Sequence, residues 1–131
     1  MAGSGSMSQE TTIHDSQGIR ILEYPVEGPP LGNVSASLQI ISAAFSQQAG
    51  LVAIPVERLG DDFFQLRNGI AGEVLQKFAT YKLRVAIVGN IKSLTAASKA
   101  LNDFVVECNR GSAVWFVSSL EELNDPLQRI P

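Results

Sequence analysis

Few residues in this 131-residue chain have the types and spacing that chemistry needs. There is one histidine, His14, and one cysteine, Cys108, so an internal disulfide is excluded and a His- or Cys-based metal centre would need a second chain. His14 stands alone on an expected strand. Cys108 falls in the apolar stripe of an expected helix, where it reads as a small hydrophobe with no nearby base to lower its pKa. Asp61-Asp62 imitate a carboxylate pair, but general acid–base work needs two carboxyls held across a substrate from separate elements. Adjacent acids just before a helical segment read instead as a cap and a turn. Glu121-Glu122 suit the first turn of the last helix.

The chain has no Walker loop, no G-x-S-x-G elbow and no H-E-x-x-H. Gly69 and Gly72 in "GIAG" lie inside a helix pattern, and close packing on the sheet is the expected reason for tolerating them. No catalytic residue, metal or cofactor is expected, and the reading leans away from an enzyme.

Charge narrows the partners. The net charge is -3 with lysines and arginines scattered singly, so no basic field exists for nucleic acid or an anionic membrane surface. No apolar run approaches the roughly 18 residues of a membrane span. A lone thiol points to a reducing compartment, with the cytoplasm expected. "MAGSGSM" reads as an expression-tag remnant over residues 1–6 with a natural start at Met7, leaving one domain over 7–131.

The elements that must position any site read clearly. "TTIHDSQGIRILEY" predicts a hairpin, with Asp15 to Gly18 as its turn. "LVAIPV", "LRVAIVG" and "AVWFV" are unbroken apolar runs, the pattern of parallel strands covered on both faces. Between them come three helices. The first has an expected stripe of Val34, Leu38, Ile41 and Phe45, a cap at Asn33 or Ser35 and a left-handed end at Gly50. The second places Ile70, Ala71, Val74, Leu75 and Phe78 on one side. The third is capped by Thr95, ends at Gly111 and carries Ala97, Ala100, Leu101, Phe104, Val105 and Cys108. A last segment, interrupted at Pro126, is short or kinked.

This order gives an α/β fold: a mixed, mostly parallel sheet with an N-terminal antiparallel hairpin at its edge and βαβ crossovers, sandwiched by helices. Arg84, in an otherwise apolar strand, is expected near the strand start or paired with Glu73 or Asp103.

Sheets of this kind bind ligands beyond the carboxyl ends of their strands. The loops there span 57–68, 90–95 and 118–119. From them Arg67, Asn68, Asp61, Asp62, Phe63, Asn90 and Ser93 are the candidate partner- or ligand-binding residues.

"FFQLRNGIAGEVLQKFATYKLRVAIVGN", followed by "SKALNDFVVECNRG" and "VWFV", resembles a bacterial family, domain of unknown function 4180. The resemblance runs from about Leu38 to Leu123 and implies no activity. The element order is also similar to STAS and SpoIIAA-like domains, which act as anti-sigma-factor antagonists or transporter regulators. In those domains a D-S-S-G-L step, with a phosphorylatable serine, opens the helix after the second parallel strand. Leu66 to Ile70 falls at that place; Asn68 replaces the serine, so it cannot accept a phosphoryl group, and it is expected to serve as the helix N-cap.

Two functions follow. The first is a non-catalytic, STAS-like regulatory domain that binds a protein through Arg67-Asn68, the "ERLGDDFF" loop and the exposed side of the second helix, with Phe63 or Phe64 as an aromatic anchor. The second is a binder of a small anionic ligand, or an enzyme, with a pocket over the strand ends in which Arg67 holds the anion. A homodimer is expected from Ile40 and Val106, which lie off the predicted stripes.

Overall fold

A computed structural model describes residues 11–130; the expected tag remnant and the start at Met7 lie outside the described residues. Two strands, β1 (Thr12–Ser16) and β2 (Ile19–Glu23), form the antiparallel hairpin. Its two-residue turn puts both Gln17 and Gly18 at positive φ, 52° and 79°, the backbone twist that joins tight hairpins. Then follow α1 (Val34–Gln47), β3 (Leu51–Pro55), α2 (Ile70–Thr80), β4 (Arg84–Val88), α3 (Lys92–Ala97), α4 (Lys99–Arg110), β5 (Val114–Val117) and α5 (Asn124–Gln128). The sheet order is β1-β2-β3-β4-β5, with β2 to β5 parallel and β1 at the edge.

The expected sandwich is corrected by that order. Strands laid down one after another in the same direction, with crossovers of one hand, put their connecting helices on one face. Leu22, Val52, Ile54, Val85, Ile87 and Phe116 point to that face and pack against Ile40, Ala44, Val74 and Phe78. On the opposite face Ile21, Leu51, Ala53, Ala86, Trp115 and Val117 meet Leu123 and Leu127 at the C-terminal end of the chain. β3, β5 and β4 past Arg84 are apolar because both faces are covered, but unequally.

The stripe of α1 is also corrected. Its buried residues are Ala36, Ser37, Ile40, Ile41 and Ala44, while Leu38 and Phe45 are 45% and 54% exposed. Small side chains let the helix approach the sheet, and Ser37 satisfies its hydroxyl by donating to Val34 O at 2.6 Å. Asn33 caps α1 as expected, accepting from Ala36 N at 2.8 Å. The left-handed residue at its end is Gln48, not Gly50. Ile40 is 1% exposed, which removes one of the two supports for a homodimer.

The third predicted helix is two. Thr95 lies inside α3, and the cap of α4 is Ser98, whose Oγ accepts from Leu101 N at 3.1 Å. Ala97 and Ala100 are exposed, and the buried side runs through Leu101, with Phe104, Val105 and Cys108 half-buried. Gly111 ends α4 as expected. Arg84 opens β4 and donates from Nε to Ser112 O at 3.0 Å; it forms no ion pair with Glu73 or Asp103, and Lys99 holds Asp103. At the far edge Asn109 clasps β5, accepting from Phe116 N at 2.7 Å and donating to Phe116 O, which occupies backbone groups that an open edge would expose.

Candidate functional site

The predicted rim residues fall into two separate loops. Past β3 the chain makes three short 3₁₀ segments: Val56–Arg58, Asp61–Phe64 and Leu66–Asn68. Asp61 and Asp62 are exposed and line a shallow hollow of about 310 Å³ with Pro30, Asn33 and Ile70. Phe63 is 2% exposed and meets the half-buried Phe64 edge to face at 5.4 Å, so Phe63 is not on the surface where a partner anchor was expected. Asn68 is fully engaged: its Oδ1 accepts from Ile70 N at 2.9 Å and its Nδ2 donates to Asp62 O at 3.0 Å. It caps α2 from one residue further out than expected, across Gly69. Arg67 is exposed and lines none of the described hollows. On the next loop, Asn90 Oδ1 accepts from Lys92 N at 2.9 Å, while Ser93 is exposed on α3.

A groove lies between the helices. Val34 of α1 and Gly69, Gly72, Glu73, Gln76 and Lys77 line a depression of about 520 Å³. The expectation for Gly72 is overturned here: a Cβ built on it meets nothing within 4 Å, so no close packing demands glycine. At the other end of the same helices Phe45 and Tyr81 stack edge to face at 6.0 Å, both exposed.

The third feature lies at the carboxyl ends of the strands, but its lining includes none of the candidate residues predicted for that rim. On the face that carries α5, the carboxyl ends of β2, β3 and β4 surround a hollow of about 420 Å³. Ala53, Pro55 and Val88 give it apolar walls, and Glu23 and Glu57 give it carboxylates. The hairpin register aligns Thr12 with Glu23 and His14 with Ile21, so all four side chains share this face. His14 Nε2 meets Glu23 Oε1 at 2.5 Å.

Behind the hollow, Arg58 is 6% exposed and donates to the carbonyls of Pro25, Glu27 and Pro29 at 2.8–3.1 Å. Burial lowers its pKa, a shift opposed by Tyr24, and burial raises the Tyr24 phenol against the pull of Arg58. Tyr24 is therefore a neutral phenol, packed against the core on the α1–α2 side of the sheet. Cys108 is pushed up to about 11 by burial and then by Glu107, which holds it as an unreactive thiol at neutral pH. Glu122 is lowered by hydrogen bonds from the Ser118 hydroxyl and backbone.

Among the described residues no group of three His, Cys, Asp or Glu is placed to hold a metal ion, and no helix is long and apolar enough to cross a membrane. No curated protein matches the chain. No solved structure matches it either. The family model described as Domain of unknown function (DUF4180) matches residues 16–127. With that span covering most of its length, the chain belongs to the DUF4180 family.

Proposed function

We propose that this domain works by binding a protein partner, as a non-catalytic regulatory module of the STAS-like type without a phosphorylatable serine at the switch position. The contact surface is the α1–α2 groove together with the rim loop that carries Asp61, Asp62, Arg67 and Asn68. The element order supports the STAS-like part of the reading. The observation that carries the binding part is Gly72. An exposed glycine inside a helix costs about 1 kcal/mol against alanine, and here no neighbour requires it. Its bare backbone keeps the groove open for the apolar side of a partner helix, with Glu73 and Lys77 at the rim. Leu38, Phe45 and Tyr81 extend exposed apolar surface along the same helices.

The test is capture from the native host with wild type, Gly72→Leu and the double variant Arg67→Ala/Asn68→Ala. Leucine is a strong helix former, so Gly72→Leu fills the groove without opposing the helix. A partner retained by wild type and lost with Gly72→Leu supports the reading. An identical set of proteins on both sinks it. Self-association stays a proposal, checked by light scattering: a strict monomer at tens of micromolar ends it. The second reading, a small-molecule site or enzyme at the strand ends, draws on the hollow beside Glu23 and Glu57. Two carboxylates there disfavour the anion that was expected of it.

A further inference from the structure

We propose that the hollow at the carboxyl ends of β2, β3 and β4 binds a small ligand that carries a protonated amine on an apolar body. Its volume of about 420 Å³ lies within the range of small-ligand sites. Its place is the rim where open α/β sheets hold their ligands.

Charge decides the class of ligand. Glu23 and Glu57 both line the hollow, and among the described residues no lysine, arginine or histidine does. The Arg58 guanidinium is committed to three carbonyl oxygens of the 25–29 segment and lines no part of the hollow. An entering anion would meet two carboxylates with no lysine or arginine among the described lining residues, whereas an ammonium group meets two acceptors.

The site is also partly organised in advance. His14 Nε2 holds Glu23 Oε1 at 2.5 Å, which fixes the carboxylate through a second strand of the hairpin. Preset polar groups cost less ordering when a ligand arrives. Ala53, Pro55 and Val88 supply the apolar surface for the ligand's carbon skeleton. The hollow is on the α5 face and the partner groove is on the α1–α2 face, so the failure of one reading leaves the other standing.

The experiment is an NMR titration of the full, ¹⁵N-labelled chain with n-butylamine and 1,4-diaminobutane, using butyrate as the anionic control. Saturable shifts of the Ala53, Val88 and Gly89 amides with the amines, and none with butyrate, are expected. Glu57→Gln weakens amine binding by about fivefold, and Glu23→Gln by about tenfold. Both are isosteric, and unchanged spectra away from the hollow verify the fold. Absent or non-saturating shifts with both amines overturn the proposal. So does an equal response to butyrate, or amine binding that neither substitution weakens.

Discussion

The guanidinium of Arg58 occupies the space that a side chain at Gly28 would need: a Cβ there would lie 2.6 Å from Arg58 Cζ. Gly28 also has φ near 144°, a conformation that L side chains rarely adopt. The 25–32 segment is thus fastened from inside by one buried arginine, and Leu31 N closes the clasp on Arg58 O. Arg58→Met removes three donors and leaves their carbonyls short of partners. A loss of about 2–4 kcal/mol is expected. Gly28→Ala loses about 1–3 kcal/mol through strain and the displaced guanidinium. Urea unfolding measures both.

Gly72→Ala should raise stability by about 1 kcal/mol, because the helix gains and no neighbour is crowded. Thermal melting checks it. A destabilised variant would mean that the groove is closed in solution.

The phase of α1 separates two neighbours on the same helix. Ile40→Ala opens a hole in the core and should cost about 2–4 kcal/mol. Leu38→Ala, at an exposed position, should stay within about 0.5 kcal/mol. Chemical denaturation of the pair decides which stripe faces the sheet.

The break between α3 and α4 makes a similar contrast. Ser98→Ala removes a cap and should cost about 1 kcal/mol. Thr95→Ala, whose hydroxyl only donates back to Ile91 O and Lys92 O, should cost about 0.5 kcal/mol or less.

Alkaline pH tests the buried thiol. The Cys108 pKa is raised from 9.0 to about 11, so the unfolded chain releases this proton first. The stabilising contribution is complete below pH 9.0 and is lost as pH climbs to about 11. Tyr24, also raised, adds to the same decline from pH 10.0 upward. Wild type should lose more stability across this window than Cys108→Ala. Equal slopes in urea unfolding would contradict the burial of Cys108.

The strands were legible because an apolar run with no polar break has one physical home, a sheet covered on both sides. The phase of α1 was not, because bulk misled: Leu38 and Phe45 suggested a stripe, while Ser37 hid the true one by looking polar. Only its bond to Val34 O makes it a core residue. Asn68 was readable as a cap, since an amide before a helix has that use in any fold. The hollow was harder. Glu23 and Glu57 meet only through the strand register, which no local pattern encodes. One part could have been found: a two-residue turn at Gln17-Gly18 forces Thr12 opposite Glu23, and so places His14 beside it.

Because every strand pairs with the one made just before it, the sheet widens in the order of synthesis. Each new βα unit meets a template already present, and no strand has to thread between two earlier ones. The α5 segment breaks this progression. It doubles back beneath the sheet, and Asn124 accepts a hydrogen bond from Ser16 in the first strand. The underside around Trp115 is therefore sealed by the last helix, and a released chain truncated before Leu123 would leave it open to solvent.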